Sequence, residues 1–323
     1  MREYQITEWV KTTFSYKSTV IPMVLKRVLL FPGFCLIILL MSKGYLGSSL
    51  AQLPWSKVWI PSLGHTLIGT ALGLVLVFRN NASYDRFWEG RKQWGGIVNA
   101  CRNFIRQARS YGGEMQTLAP LVTAFPFALK HQLRSEDPSG SIIQFLNAEN
   151  TRLVMLHKNP SLAINFAMSN WIHRMVKLGR ISELQAHRME EQVAKLMDCQ
   201  GACERILKTP VPFAHAIHVK QLLFIYLITL PFVLIPIVGW LSLGMVFVIA
   251  FGLLGIEEAG IEIEDPFGHD PNDLPLTNIC EVIARDVQST LYFDDETSQE
   301  QEIVLSSLDE SDSDQQFIGI FKA

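Results

Sequence analysis

Charge is what this sequence has least of. No Asp, Glu, Lys or Arg falls among the 21 residues between Lys57 and Arg79, nor among the 36 residues from 221 to 256. Charged residues make up 18% of the chain against 49% hydrophobic ones, and the mean hydropathy is +0.20. A water-soluble domain of this size carries more charge and less apolar surface. The formal net charge of −3 leaves no broad basic field for nucleic acid. The five cysteines (Cys35, Cys101, Cys199, Cys203 and Cys280) are odd in number and scattered, which argues against a disulfide framework. There is no signal-peptide pattern: residues 1–26 are largely polar, and the first long apolar run starts at Val28. No alternating strand pattern rises above the helical one. A Walker loop, a G-x-G-x-x-G turn, a nucleophile elbow and an H-E-x-x-H helix are all missing. These absences exclude the common catalytic classes and leave an integral membrane protein with a large polar part.

The uncharged runs set the expected spans. Residues 58–78 are long enough to cross the roughly 30 Å hydrocarbon layer as one helix. That stretch also carries Gly64, His65, Thr66, Gly69, Thr70 and Gly73. Gly69 and Gly73 form a small-xxx-small pair that lets helix backbones approach closely in a membrane. Thr70, Leu74 and Phe78 follow at i, i+4 and i+8 and share one helix face. Such a face lines water or packs against protein rather than lipid. His65 reads as a hydrogen-bonded packing residue, with a proton relay as the alternative. The first run, 28–42, has only 15 uncharged residues and needs snorkelling by Arg27 and Lys43, or extension towards Leu46, to cross. The 36-residue run would be about 54 Å long as one helix, too long for one crossing. It therefore divides near Pro236, Gly239 and Trp240, giving four crossings. The basic clusters at 11–27 and 79–92 place both chain ends on the cytoplasmic side.

From 80 to 220 the sequence reads as long polar helices. Trp94, Ile97, Cys101, Phe104 and Ala108 form a core stripe, and Arg102, Arg106 and Arg109 a basic stripe on another face. That basic stripe is a solvated or salt-bridged face, or else an ion-attracting wall. Residues 118–129, interrupted by Pro120 and Pro126, are too short to span and read as core. Ser182 and Gln185 have capping-box spacing. Cys199 and Cys203 with His215 and His218 could be drawn as a metal site, but read more simply as core and surface residues. The acidic block that begins at Glu257 offers Asp270, Asn272 and Asp273 as cation ligands. The competing reading makes them turn formers, with Asp273 capping the next helix, expected over 277–292. Residues 294–314 hold nine carboxylates, the composition of a tail without its own core. The expected domains are thus an N-terminal segment (1–27), spans one and two (28–79), a cytosolic helical domain (80–220), spans three and four (221–256), an acidic loop and helix (257–293), and a tail (294–323). The tail is expected to be flexible or to drape over a neighbouring basic stripe.

Three segments carry a family resemblance: Phe78-Arg-Asn-Asn-Ala-Ser-Tyr-Asp-Arg-Phe-Trp-Glu-Gly-Arg-Lys-Gln-Trp-Gly95, Lys208-Thr-Pro-Val-Pro-Phe213 and Glu264-Asp-Pro-Phe-Gly-His-Asp-Pro-Asn-Asp-Leu274. Together they resemble the bestrophin family in its bacterial and plant-type branch, over roughly residues 10–290. The resemblance implies an all-α, four-pass, homopentameric channel with a large cytosolic helical domain. It implies a neck at Thr70, Leu74 and Phe78 and a cytosolic constriction at Gln185. Thr70 departs from the aliphatic residue expected at the neck entrance. Of the animal calcium clasp only Asp270 and Asp273 match in position, while His269, Pro271 and Asn272 depart from it. No cofactor is therefore expected, with Ca²⁺ as the alternative.

The resemblance further implies passive conduction of chloride, bicarbonate or nitrate, with cation conduction as the alternative. The implied partners are other copies of the chain, membrane lipid and inorganic ions, and no nucleic acid. The implied location is the cell membrane, multi-pass, or the thylakoid in a photosynthetic source. Edge-on Phe78 rings would favour a partly dehydrated anion, and backbone dipoles at helix breaks near Pro61 and Pro236 would add to this. A secondary transporter is the rival, but no repeat is visible and only His65 is ionisable within a span. A membrane signalling protein would need a catalytic or receiver motif in 80–220.

Overall fold

A computed structural model describes residues 19–45 and 60–291. The chain divides into two compact units, one built from the described parts of 1–93 and 202–275, the other from 94–201 and 276–291. Among the described residues the regular structure is helical, without a strand. Helix α1 is Ile21–Ser42 and α2 is Ser62–Ser110. They are followed by α3 (Met115–Leu133), α4 (Ser139–Ile142), α5 (Ala148–Met155), α6 (Pro160–Lys177) and α7 (Glu183–Lys208). Then come α8 (Phe213–Val238), α9 (Ser242–Glu262) and a last helix, α10, over 276–291.

In the first unit α1, α8 and α9 form one apolar bundle. Val24, Val28, Phe31, Cys35 and Leu39 put one stripe of α1 against Leu227 and Leu230 of α8 and Val246, Ala250 and Leu254 of α9. With 22 residues, α1 is about 33 Å long, and its uncharged part, 28–42, lies between Arg27 and Lys43. The expected span of 15 residues was short because Lys26 and Arg27 interrupt the hydropathy without interrupting the helix. Arg27 turns to Glu258 of α9 at 2.5 Å. The helix stops where Gly44 (φ 78°) takes the left-handed conformation, with Tyr45 N–H bonded to Leu40 O and Gly44 N–H to Met41 O.

α2 begins at Ser62, after Pro61, and not at Val58. It then continues for 49 residues through the basic cluster, so the change of composition at 79–80 is not the end of a helix. α8 and α9 are separated by a 3₁₀ turn, Gly239–Leu241. Gly239 has φ 54° and ψ −123°, a conformation essentially closed to other residues. The turn thus falls where Pro236–Trp240 marks it, although Pro236 itself lies inside α8, two residues from its end. Among the described residues three stretches are long and apolar enough to cross a membrane: Ile21–Ser42, Ser62–Ser110 and Phe213–Glu262. The third contains both α8 and α9.

In the second unit the expected stripe is the core: Trp94, Ile97, Cys101, Phe104 and Ala108 are all completely buried. α3 keeps its helix through Pro120 and Pro126 and buries Leu118, Val122, Phe125 and Leu129. Trp171 of α6 donates to Thr117 Oγ1 at 2.8 Å, which gives its buried indole a partner. Asn147 and Asn159 cap α5 and α6 by accepting from Asn150 N and Leu162 N. Burial pushes the Cys280 thiol up to about 12 and raises Cys101 as well, so neither forms a thiolate at neutral pH.

Candidate functional site

Two sides of α2 differ sharply. Leu72, Leu76, Arg79 and Ser83, at i, i+4, i+7 and i+11, are buried in the first unit. Leu72 and Leu76 pack on Val219 and Leu223 of α8. His65, on the same side, lies 3.2 Å from both Tyr226 O and Thr229 Oγ1 and stacks on the Tyr226 ring at 4.2 Å. Gly69 makes this approach possible, since a Cβ there would lie 2.7 Å from the Tyr226 hydroxyl. Gly73 has nothing within 4 Å of where its Cβ would be, so only one member of the glycine pair is used within the chain.

Thr70, Leu74 and Phe78 occupy the other side. Leu74 is 56% and Phe78 63% exposed, and Leu67 and Val77 flank them, also exposed. Within one chain these side chains are not packing residues. Thr70 spends its hydroxyl proton on Thr66 O at 2.9 Å, so the hydroxyl is turned back along the helix and the site is less polar than its residue type implies. The face continues through Asn81 to Asp85, both exposed.

Just beyond Phe78 the helix is locked from behind. Arg79 donates from Nη1 to Glu257 Oε1 at 2.9 Å, with 2% of either side chain exposed. Arg27 and Lys220 approach the same carboxylate at 3.9 and 4.0 Å. Asn80 Nδ2 donates to Ile256 O, and its Oδ1 takes up the space that a Cβ on Gly260 would need. Sequence reasoning passed over Arg79–Glu257. Glu257 opens the acidic block after the 36-residue uncharged run, and no spacing in the sequence ties it to a cation 178 positions earlier.

The three quoted segments meet around Arg86. Its guanidinium donates to Ile206 O at 2.8 Å, to Glu264 O at 3.2 Å and to Thr209 O. Gly90 lets Pro266 and Phe267 lie on α2, with a Cβ there 3.1 Å from both. One turn away, hydrogen bonds from Lys92 and then Gln93 hold the Glu89 carboxyl below its ordinary range.

Gln185 sits in the first turn of α7 and works as a cap. Its Oε1 accepts from Ser182 N–H at 2.8 Å while Ser182 Oγ accepts from Gln185 N–H at 3.3 Å, the reciprocal pair of a capping box. The adjacent Leu184 is 68% exposed. In the acidic loop Asp273 Oδ2 accepts from Asp270 N–H at 2.7 Å, and Asp265 accepts from Phe267 N–H. Asp273 thus ties the loop to itself, three residues before α10 starts at 276. Asn272 donates to Glu262. Among the described residues no group of three His, Cys, Asp or Glu side chains could hold a metal ion. Two arginines of the basic stripe meet α10, Arg102 pairing with Asp286 at 2.7 Å and Arg109 donating to the carbonyls of Thr290 and Leu291, while Arg106 is exposed. The tail, 294–323, lies outside the described residues.

Residues 1–289 match the family model described as Bacterial/Fungal Bestrophin protein. The chain is 38% identical to the voltage-dependent anion channel-forming protein of Synechocystis sp. over 88% of its own length and 92% of the relative's. It is 36% identical to the protein so named in Nostoc sp., over 86% and 90% of the two chains. Among solved structures it is similar to the crystal structure of a bacterial bestrophin homolog from Klebsiella pneumoniae. There the TM-score is 0.77 at 29% identity, covering 83% of this chain and 98% of that one.

Proposed function

The chain belongs to the bestrophin family, and from that premise we propose that it forms a pore that conducts anions passively across a membrane. The observation that carries the reading is the two-sided character of α2. One side is buried and locked by Arg79–Glu257, and the other leaves Leu74 and Phe78 exposed beside Thr70, whose hydroxyl turns back to Thr66 O. Five copies around an axis would turn that face into a neck. Such a neck offers a hydrated ion no charge in return for its water and gates by dewetting. Phe78 edges, electropositive by their quadrupole, would favour an anion there. The names carried by the Synechocystis and Nostoc relatives agree with this choice. Four crossings follow from α1, α2, α8 and α9, with both ends cytoplasmic and the protein multi-pass in the cell membrane, or the thylakoid in a photosynthetic source. The second constriction belongs to the start of α7, with Gln185 holding the cap and Leu184 presenting the apolar side chain.

Cation conduction is the second reading, and Asp85 favours it. It is exposed and lies seven residues beyond Phe78 on the same face. Purified protein in a planar bilayer under a KCl gradient separates the two. A reversal potential displaced towards that of chloride supports the anion channel, and one displaced towards that of potassium replaces it with the cation channel.

A further inference from the structure

Between α1 and α8 lies a groove that ion conduction does not require. Leu30, Phe31 and Phe34 of α1 face Leu223, Phe224 and Ile228 of α8 across a groove of about 380 Å³. Phe31 and Phe224 meet edge to face at 6.4 Å, which fixes the register of the two walls. Each wall begins with a cation one turn before its apolar stripe: Arg27 precedes Leu30, Phe31 and Phe34 at i+3, i+4 and i+7, and Lys220 precedes Leu223, Phe224 and Ile228 at i+3, i+4 and i+8. Both cations reach the same buried carboxylate, Glu257, at 3.9 and 4.0 Å, so their heads are close neighbours. They keep 43% and 49% of their side chains exposed.

We propose that this cleft binds an anionic phospholipid, its phosphate between Arg27 and Lys220 and an acyl chain along the phenylalanine-lined groove. The argument is charge complementarity together with depth. The groove walls are the membrane-spanning parts of α1 and α8, so the cations stand at the level where a headgroup phosphate lies and the apolar stripes at the level of the chains. The carboxylates nearby do not cancel the cations. Glu257 is 2% exposed and is held by buried Arg79 at 2.9 Å, and Glu258, 14% exposed, is taken up by Arg27. Glu264 reaches only the far nitrogen of Arg79, at 3.8 Å. Lys26, Arg27, Arg79 and Lys220 thus face Glu257, Glu258 and Glu264, four cations to three carboxylates, with Lys26 exposed at the position before Arg27. An anion completes this arrangement, while a zwitterionic headgroup brings a cation of its own.

Native mass spectrometry of the purified full chain, offered equal amounts of dioleoyl phosphatidylglycerol and dioleoyl phosphatidylcholine, tests this without reference to conduction. The phosphatidylglycerol adduct should dominate. Lys220→Gln should cut that preference about fivefold, the effect of one cation near a charged lipid surface. Ile228→Trp fills the groove with every charge intact and should lower occupancy by both lipids. Equal binding of the two lipids by the unaltered protein, or an unchanged preference in Lys220→Gln, overturns the proposal. So does protection by soluble glycerol phosphate equal to that of the lipid. If Ile228→Trp leaves lipid adducts intact but breaks up the oligomer, the groove is filled by a neighbouring copy and the lipid site is refuted.

Discussion

At the scale of single residues, the chemistry lies in what is withheld from water. His131 of α3 is held between Glu136 Oε2 at 2.6 Å and Ser141 Oγ at 2.8 Å. Burial pushes its pKa below the ordinary 6.5, and Lys130 adds to this, against the opposing pull of Glu136. The unfolded chain therefore takes up the proton first as pH falls. The stability contributed by neutral His131 is complete above about 6.5 and is lost as pH falls from there through the folded value. Thermal unfolding of the full chain followed from pH 8 to pH 5 should show Tm declining below 6.5, and His131→Gln should flatten that decline. A profile unchanged by the substitution would contradict the assignment. Much at this scale was legible from spacing alone. The stripe from Trp94 to Ala108 is core because five apolar residues recur at helical period, and Ser182 with Gln185 is a capping box because the spacing allows little else. Arg79–Glu257 was not legible as a pair, because residues 178 apart in the chain leave no periodic trace.

At the scale of elements, hydropathy located the spans but misplaced their ends. A membrane-crossing helix need not stop where charge begins. α1 starts seven residues before its apolar run because Lys26 and Arg27 are good helix formers at the water boundary, and α2 runs on through Arg79 and Arg86 because those residues have partners. Pro61 marks a true beginning, having no N–H to give and a fixed φ. The turn at Gly239 was readable because only glycine suits its backbone. The lock between α2 and α9 is where an element-level test applies. Breaking a buried ion pair by removing one partner costs about 3–5 kcal/mol. Glu257→Gln leaves buried Arg79 only the more distant Glu264 and removes the carboxylate that Arg27 and Lys220 share, whereas Arg79→Gln leaves Glu257 two other cations. Glu257→Gln should therefore be the more damaging, lowering Tm and the yield of assembled protein more than Arg79→Gln does. Equal effects, or a larger loss in Arg79→Gln, would show that the pair does not work as a shared hub.

At the scale of the whole molecule, the account rests on one face of α2. The sequence marked Thr70, Leu74 and Phe78 by spacing, and the structure leaves that face exposed while the other side of the same helix is packed. Assembly was legible only through the family resemblance, since a single chain carries no period from which a copy number can be read. The account joins the two by proposing that copies of the chain bring five such faces together. A change at one position then becomes five changes around the axis. The most direct test is planar-bilayer recording of assembled Leu74→Ala and Phe78→Ala proteins. If the face lines the neck, each substitution widens and wets the constriction, so conductance rises and discrimination between ions weakens. If instead the face is buried between copies as packing, each truncation costs about 2–5 kcal/mol and assembly suffers. Properly assembled mutants with unaltered conductance and selectivity would contradict the account.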